Sequence, residues 1–157
     1  MRQSTLVFVF NPKNQILLAM KKRGFGKDKW NGAGGKLEPG ETIAQAASRE
    51  LFEETSVRIG PAALESRGVL HFHFDGNPDW DQDVNVFVSY GYDGEFEETE
   101  EMKPQWFDIG DIPYDAMWED DPYWLPRVLE GESVEFEFFF GRDGHIEEYA
   151  EVYGEIG

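Results

Sequence analysis

Three glutamates stand close together in a stretch whose other residues have the pattern of a buried helix. In "SRELFEETS", residues 48–56, Glu50, Glu53 and Glu54 follow Arg49. At about 100° per residue, all three carboxylates share one edge of a helix, where like charges repel one another. Converging carboxylate oxygens suit Mg²⁺, with Mn²⁺ as a substitute, because these ions bind a few carboxylates together with substrate phosphates. We therefore expect a metal site here; for the glutamates taken alone, an ordinary exposed acidic face is the alternative.

A basic cluster lies upstream in a glycine-rich segment. Its five members fall within ten positions: Lys21, Lys22, Arg23, Lys27 and Lys29. In a chain with a formal net charge of −18, this cluster is a candidate site for anionic phosphates. For Lys21 and Arg23, solvated loop charges are the alternative. The overall acidity argues against a nucleic acid polymer as partner, because binding to its backbone requires a basic surface.

The helix that carries the glutamates has clear local signals. Thr42 and Gln45 have the pattern of a capping box, which predicts a helix from about residue 43 to residue 55. Late in the chain, "YWLPRVLEG" predicts a second, short helix, with Asp121 as its N-cap and Pro122 at its first position. Apolar, β-branched and aromatic runs elsewhere predict strands. The pattern indicates an α+β domain with many strands, one long helix and one short late helix.

Length and composition limit the remaining possibilities. The 157 residues suit a single domain, 1–157, and the absence of cysteine excludes disulfides, thiolate zinc sites and a cysteine nucleophile. His71 and His73 alternate on a predicted strand with no third ligand in view, so we do not expect zinc there. The chain has neither a signal-peptide pattern nor an apolar run near the roughly 20 residues of a membrane span. We expect a cytoplasmic monomer without a membrane partner.

From Gly35 onward, the chain resembles the Nudix hydrolase family. The segment "GKLEPGETIAQAASRELFEETSV" has the family's glycine, five residues, Glu41, seven residues, and then Arg-Glu-apolar-x-Glu-Glu. The match holds at so many fixed spacings that it is highly specific. Ser56 departs from the pattern, because the family usually has glycine at this position after the helix, where the backbone often turns left-handed. Serine there costs about 1 kcal/mol and removes no catalytic group.

The resemblance implies a fold and a set of roles. The fold is an α/β/α sandwich with a mixed β-sheet, and the reaction is hydrolysis of a nucleoside diphosphate linked to another group. Glu50, Glu53 and Glu54 hold Mg²⁺, and the backbone carbonyl of Gly35 or Lys36 is a further ligand. Arg49 orients the carboxylates, and Glu41 braces the loop onto the helix. Glu53 or Glu54 helps to deprotonate the attacking water, with Glu101 as a second candidate for catalysis and metal binding.

Beyond this motif, the chain resembles the branch of the family that hydrolyses oxidised purine nucleoside triphosphates such as 8-oxo-dGTP and 2-oxo-dATP. The likeness rests on "MKKRGFGKDKWNGAGGKLEPGET", "EMKPQWFDI" and "DAMWEDDPYWLP". It implies a purine nucleoside triphosphate substrate, and a base pocket formed by Asn31, Trp118, Asp120, Asp121, Phe25, Phe72 and Phe74, with Thr5 and Lys21 nearby.

The pocket residues also suit purine recognition by their chemistry. Asn31 offers a donor and an acceptor, and Trp118 offers a flat face for stacking. If Asp120 and Asp121 both point inward, their repulsion keeps one of them protonated, and the pair then supplies a donor and an acceptor. Asp121 as a mere helix cap and Trp118 as a core residue are the alternatives.

Several functions remain open at the level of the sequence. A Nudix enzyme of this kind could act instead on a methylated purine nucleotide, on ordinary dGTP or ATP, or on ADP-ribose. A Nudix-like module that binds nucleotides without cleaving them is a rival of another class, and the complete set of Arg49 and three glutamates argues against it. An mRNA-decapping role lacks the basic surface that it needs.

Overall fold

Eight strands and two α-helices make up the part of the chain that the computed structural model describes, residues 2–152. The strands are β1 (Arg2–Val9), β2 (Gln15–Lys21), β3 (Trp30–Asn31), β4 (Glu65–Phe74), β5 (Gln82–Ser89), β6 (Met102–Asp108), β7 (Val134–Phe140) and β8 (Ile146–Glu151). The helices are α1 (Ile43–Thr55) and α2 (Asp121–Leu129). The sequence predicted a last strand that reaches Tyr153, a residue outside the described part. No helix within residues 2–152 is long and apolar enough to span a bilayer.

The strands form two sheets. A five-stranded mixed sheet has the order β1-β5-β4-β7-β8, in which β1 pairs with β5 and β4 pairs with β7 in parallel. A three-stranded antiparallel sheet has the order β3-β2-β6. The short strand β3 lies inside the glycine-rich segment that the sequence predicted as a loop throughout, and it pairs with Ala19 and Met20 of β2.

The helices cover opposite faces of the larger sheet, because each face carries its own row of apolar side chains. Along β1, Phe8 belongs to the core on the α2 side, together with Trp124 of α2 and Phe138 of β7. The neighbouring residue Val7 belongs to the core on the α1 side, with Leu51 of α1. Successive residues of a strand point to opposite faces, so β1 serves both cores. The mixed sheet with a helix on each side is the predicted α/β/α sandwich.

Helix α1 has the predicted ends. The hydroxyl of Thr42 accepts a hydrogen bond from the backbone N–H of Gln45 at 3.1 Å, and the Gln45 side chain accepts one from the N–H of Thr42 at 2.9 Å. After the helix, Ser56 takes the left-handed conformation, with φ 69° and ψ 3°. Ser56 thus has the backbone conformation that was expected at this position, and its cost in free energy stays a prediction.

Helix α2 begins one residue earlier than the sequence predicted. Asp120 occupies the cap position and makes no side-chain capping bond, while Asp121 is the first helical residue. The carboxylate of Asp121 instead accepts the backbone N–H of Trp118 at 3.1 Å, in the turn before the helix. The prediction of Asp121 as N-cap is wrong, because this side chain points into the protein and not along the helix end.

Candidate active site

The glycine-rich segment lies directly on β1, and this contact explains its composition. The N–H of Thr5 donates to the carbonyl of Gly35 at 2.9 Å, and the N–H of Val7 donates to that of Ala33 at 2.7 Å. A Cβ built on Gly34 would lie 1.8 Å from the carbonyl oxygen of Thr5. Only glycine permits so close an approach between two backbones. These contacts fix the segment between β1 and the glutamates of α1.

Arg49 is the centre of the polar contacts on α1. Its Nε and Nη2 donate to the two carboxylate oxygens of Glu41 at 2.8 and 2.9 Å, a forked pair of charge-assisted bonds. Its Nη1 donates to Glu50 at 2.9 Å and to Glu53 at 3.2 Å. Nη2 also reaches the carbonyl of Lys36 at 3.1 Å. One guanidinium thus links the loop to the helix, and its positive charge reduces the repulsion among three carboxylates.

Two of the three helix glutamates are set into the glycine segment. The N–H of Gly34 donates to the carboxylate of Glu54 at 3.3 Å. Burial, and then the charge of neighbouring Glu50, raise the pKa of Glu54 to about 8. Burial also raises the pKa of Glu50, although Arg49 opposes the shift. A Cβ on Gly35 would lie 2.6 Å from the Glu50 carboxylate, so the glycine forms a recess that this carboxylate fills.

The donor set fits a hard divalent cation. Glu50, Glu53 and Glu54 offer oxygen ligands only, which is what Mg²⁺ and Mn²⁺ prefer. In the present side-chain positions, Glu53 is turned toward Arg49 and is half exposed, and within residues 2–152 no three acidic or histidine side chains converge closely enough to hold an ion as they stand. Binding of a divalent cation by all three glutamates would therefore require Glu53 to change its contact with Arg49.

The other expected ligands are engaged elsewhere. The carbonyl of Gly35 accepts both the N–H and the hydroxyl of Thr5, and that of Lys36 accepts Arg49. Glu101, which precedes β6, pairs with Arg23 at 3.3 Å. Its backbone carbonyl accepts the N–H of Lys22 at 2.8 Å, so the segment with Glu101 lies beside the predicted phosphate cluster.

A second acidic site lies at the start of α2. Asp120 and Asp121 are almost fully buried, with 5% and 2% of their surface exposed. Asp120 accepts the indole N–H of Trp124 at 2.8 Å. Burial, and then the charge of Asp120, raise the pKa of Asp121 well above its usual range. Burial also raises the pKa of Asp120. Both carboxyls point inward, as the hypothesis of a shared proton requires, and the shared proton itself stays a prediction.

Trp118 stands beside this pair, under the basic loop. Its ring lies 5.3 Å from the ring of Phe25, and the ammonium of Lys29 lies 5.3 Å from the Trp118 ring centroid. A Cβ on Gly26 would come within 3.0 Å of the indole, so the loop rests directly on it. Lys21 lies near Gly26 and also near Glu54, whose pKa its charge lowers slightly. Lys21 therefore stands between the aromatic site and the helix glutamates.

The apolar wall includes one residue that the sequence did not single out. Trp80, in the turn between β4 and β5, lies 6.1 Å from Phe25 and 5.9 Å from Phe74 by ring centroids. Phe74 lies 6.5 Å from Phe72, which completes a row of rings from Trp118 outward. In the sequence, Trp80 is the only tryptophan of the polar connection "DGNPDWDQD". The neighbouring residues in the sequence do not indicate that this turn folds back toward Phe25.

The remaining predicted residues have structural contacts. The side-chain oxygen of Asn31 accepts the N–H of Gly32 at 2.9 Å, which leaves its amide NH₂ free of that bond. The hydroxyl of Thr5 bonds to Gly35 in both directions, so it braces β1 against the glycine segment. On the face of the larger sheet opposite α2, the two ring nitrogens of His71 contact Asp83 and Glu135 at 2.6 and 2.7 Å.

Known proteins resemble the chain in sequence and in fold. The family model described as the NUDIX domain matches residues 1–128. The chain is 47% identical over 141 residues to the oxidized purine nucleoside triphosphate hydrolase of Danio rerio, which covers 90% of this chain and 86% of that protein. It is 45% identical over 129 residues to the protein of the same name from Mus musculus, which covers 82% and 80%.

Among solved structures, the crystal structure of the MutT protein from Bacillus halodurans superimposes on this fold. The TM-score is 0.83, with 96% of this chain and 97% of that chain covered, at 23% sequence identity. This likeness shows the fold that the two chains share.

Proposed function

The chain belongs to the NUDIX family, and we propose that it hydrolyses oxidised purine nucleoside triphosphates, of the 8-oxo-dGTP and 2-oxo-dATP type. Water is consumed, the bond between the α- and β-phosphates is cleaved, and the products are a nucleoside monophosphate and pyrophosphate. Such a reaction removes damaged nucleotides before they enter DNA. The observation that carries this proposal is the pair of buried, adjacent carboxyls of Asp120 and Asp121 beside Trp118.

Hydrolases of this family use a divalent metal, and here we propose Mg²⁺, held by Glu50, Glu53, Glu54 and Glu101 with a backbone carbonyl near Gly35. The bound ion neutralises charge on the diphosphate and makes a water molecule more acidic. Arg49 keeps the unliganded carboxylates apart and fixes the loop through Glu41. Glu53 or Glu54 takes the proton of the attacking water.

The purine base binds between the acidic pair and the aromatic row. Trp118 stacks on it, and Asn31 contributes its free NH₂ donors. A protonated Asp121 next to an ionised Asp120 presents one donor and one acceptor, and the pattern reverses when the proton moves between them. This exchange allows one pocket to bind oxidised guanine and oxidised adenine, whose edges carry different donors and acceptors.

The phosphates lie toward the cations of the basic segment, with Lys21 between the two halves of the site. We further propose that the enzyme acts as a monomer in the cytoplasm on free nucleotides. The formal net charge of −18 disfavours a nucleic acid polymer as substrate.

Pyrophosphate release with Mg²⁺ tests the proposal. The substrates are 8-oxo-dGTP, 2-oxo-dATP, O6-methyl-dGTP and dGTP, and the proteins are the wild type, Glu54→Gln and the matched control Glu65→Gln. Glu65 is an exposed glutamate whose ion-pair partner is Arg67. We expect preferential hydrolysis of an oxidised purine by the wild type and the control, and a loss of about a hundredfold or more in Glu54→Gln, because metal-assisted charge stabilisation contributes several kcal/mol.

The possible outcomes separate the two halves of the site. Metal-dependent turnover without preference for an oxidised base would retain the diphosphate chemistry and reject the proposed base pocket. Absence of turnover with all four substrates, in protein that still binds nucleotides, would favour a module that binds without cleaving.

A further inference from the structure

A second pocket lies on the connection between β5 and β6, beyond the C-terminal end of α1. Its volume is about 300 Å³, and its lining residues are Tyr92, Gly94, Glu95, Phe96 and Trp106. This volume is at the lower end of the range for small-molecule sites. None of these residues belongs to the site described above.

The pocket is built largely of aromatic faces. The ring of Tyr92 lies 5.5 Å from that of Trp106 with 43° between their planes, and the ring of Phe96 lies 6.2 Å from Trp106 at 69°. The two outer rings are therefore inclined to the indole and form the walls of a concave space. Tyr92 remains 36% exposed, whereas Trp106 and Phe96 also pack against the α1 core.

Backbone hydrogen bonds hold the pocket open. Asp93 and Arg58 exchange two bonds of 2.9 Å, and the N–H of Glu97 donates to the carbonyl of Thr55 at 2.9 Å. Between these two anchors, Gly94 turns the chain with φ 87°. Because both flanks are attached to the segment at the end of α1, the rings do not depend on a ligand for their positions.

The charge of this region selects the class of ligand. Glu95 lines the pocket, and Asp93 and Glu97 are neighbouring acids in a chain of net charge −18. Aromatic faces carry a negative quadrupole and attract cations within about 6 Å of the ring centroid. A phosphate or carboxylate ligand would be repelled. A bare Mg²⁺ would find one lining carboxylate where it needs several oxygen ligands.

We propose that this pocket binds a methylated ammonium group of a small molecule, such as a choline-type cation. Its methyl groups contact the three rings, and Glu95 supplies the counter-charge. Methylation suits the site because it removes the N–H groups that would otherwise need acceptors, which aromatic faces do not provide. The volume of about 300 Å³ accommodates one small cation, and binding of a trimethyllysine peptide is the alternative that the titration below tests.

Isothermal titration of the full chain at constant ionic strength tests the proposal. The ligands are tetramethylammonium, choline and 3,3-dimethylbutan-1-ol, the neutral isostere of choline. We expect choline to bind at least fivefold more tightly than the neutral alcohol. A trimethyllysine peptide should bind no more tightly than tetramethylammonium, and tighter binding of the peptide would overturn the assignment to a small molecule.

Variants locate the site. Tyr92→Ala should weaken binding of tetramethylammonium about fivefold, and Glu95→Gln two- to threefold. Tyr90→Ala is the matched control, because Tyr90 is 55% exposed on the same connection but stacks on Phe10 outside the pocket. Tyr92→Leu, which preserves apolar packing, replaces Tyr92→Ala if circular dichroism shows that the latter does not fold. Equal binding of choline and its isostere, or unchanged binding in the Tyr92 variants, would overturn the proposal.

Discussion

Two groups of carboxylates in this protein solve the same electrostatic problem in different ways. Around α1, Glu41 of the preceding loop and Glu50 and Glu53 of the helix share the guanidinium of Arg49. Hydrogen bonds from Arg49 and then from the backbone lower the pKa of Glu41 to about 2. At the start of α2, Asp120 and Asp121 receive their bonds from uncharged donors, an indole and a backbone N–H. Burial raises both pKa values there.

The difference shows what each site can do. Glu41, which Arg49 keeps ionised, holds the loop on the helix. Burial raises the pKa of the candidate ligands Glu50 and Glu54, so a proton competes with a cation for these two carboxyls. Carboxyls that share a proton in a dry pocket present a donor and an acceptor, which is suited to a neutral base edge. Four predictions test this contrast.

The largest effect is expected at Arg49. Lysine retains the charge but cannot make the forked bond to Glu41 while it reaches Glu50 and Glu53. Arg49→Lys should lower the free energy of unfolding by about 2–4 kcal/mol and lower kcat/KM at least tenfold, since it leaves partly buried carboxylates without their donor. Urea denaturation and the pyrophosphate assay measure the two effects.

Arg127→Lys is the control for that substitution. Arg127 pairs with Glu132 and Glu151 near the surface, where ion pairs contribute less than about 1 kcal/mol. Equal losses in the two variants would mean that Arg49 acts as an ordinary surface charge.

The next effect concerns the shared proton. Asparagine at position 120 cannot exchange a donor for an acceptor by proton transfer, so Asp120→Asn should change the ratio of kcat/KM for 8-oxo-dGTP and 2-oxo-dATP by about tenfold, or roughly 1.4 kcal/mol. Glu119→Gln is the neighbouring control, because Glu119 pairs with exposed His145. An unchanged ratio in Asp120→Asn would count heavily against recognition by a mobile proton.

The acidic pair should also leave a signature in stability. The pKa of Asp121 is raised in the folded state, so the folded protein retains a proton that the unfolded chain releases above about pH 4. The contribution of Asp121 to stability is therefore most favourable at low pH and falls as pH rises from the unfolded toward the folded pKa. Asp121→Asn should remove this fall, which amounts to at most about 1.4 kcal/mol per pH unit. Parallel curves of unfolding free energy from pH 4.5 to 7 would contradict the raised pKa.

The smallest effect is expected at His71, where the cation between two carboxylates is a titratable histidine and not an arginine. Burial lowers the pKa of His71, but the carboxylates of Glu135 and Asp83 outweigh it and raise the pKa on balance. Their contribution to stability is complete below the unfolded pKa of about 6.5 and is lost as pH rises through the folded pKa. His71→Gln should lower the free energy of unfolding by less than about 1 kcal/mol at pH 5.5 and leave it unchanged at pH 9. A cost that is equal at both pH values would mean that packing, and not charge, is what His71 contributes.

The sequence predicts what depends on near neighbours. Thr42 and Gln45 specified the start of α1 because both partners of the capping box are three residues apart. The family pattern usually has glycine at position 56, which predicted a left-handed backbone there. Ser56 takes that conformation despite its side chain. Arg49 and Glu41 are only eight residues apart, and the family resemblance implied a role for each of them where the loop meets the helix.

Features that depend on distant partners could not be predicted in this way. Asp121 has the local pattern of a helix cap, yet its buried carboxylate accepts the backbone N–H of Trp118. Trp80 meets Phe25 only because the β4–β5 turn and the basic loop fold toward one another. The engagement of the Gly35 carbonyl by Thr5 likewise arises from contact between segments 30 residues apart.

The parallel pairing of β1 with β5 has a consequence for synthesis of the chain. Residues Arg2 to Val9 of β1 find their hydrogen-bond partners in residues Gln82 to Ser89. At about 5–20 residues per second, a ribosome adds this intervening segment over roughly 4–16 seconds. During that time the edge of "TLVFVF" that pairs with β5 has no partner strand and is open to other nascent chains. Early expression yield should therefore depend on chaperones that shield this first strand, and a slower ribosome would lengthen its exposure.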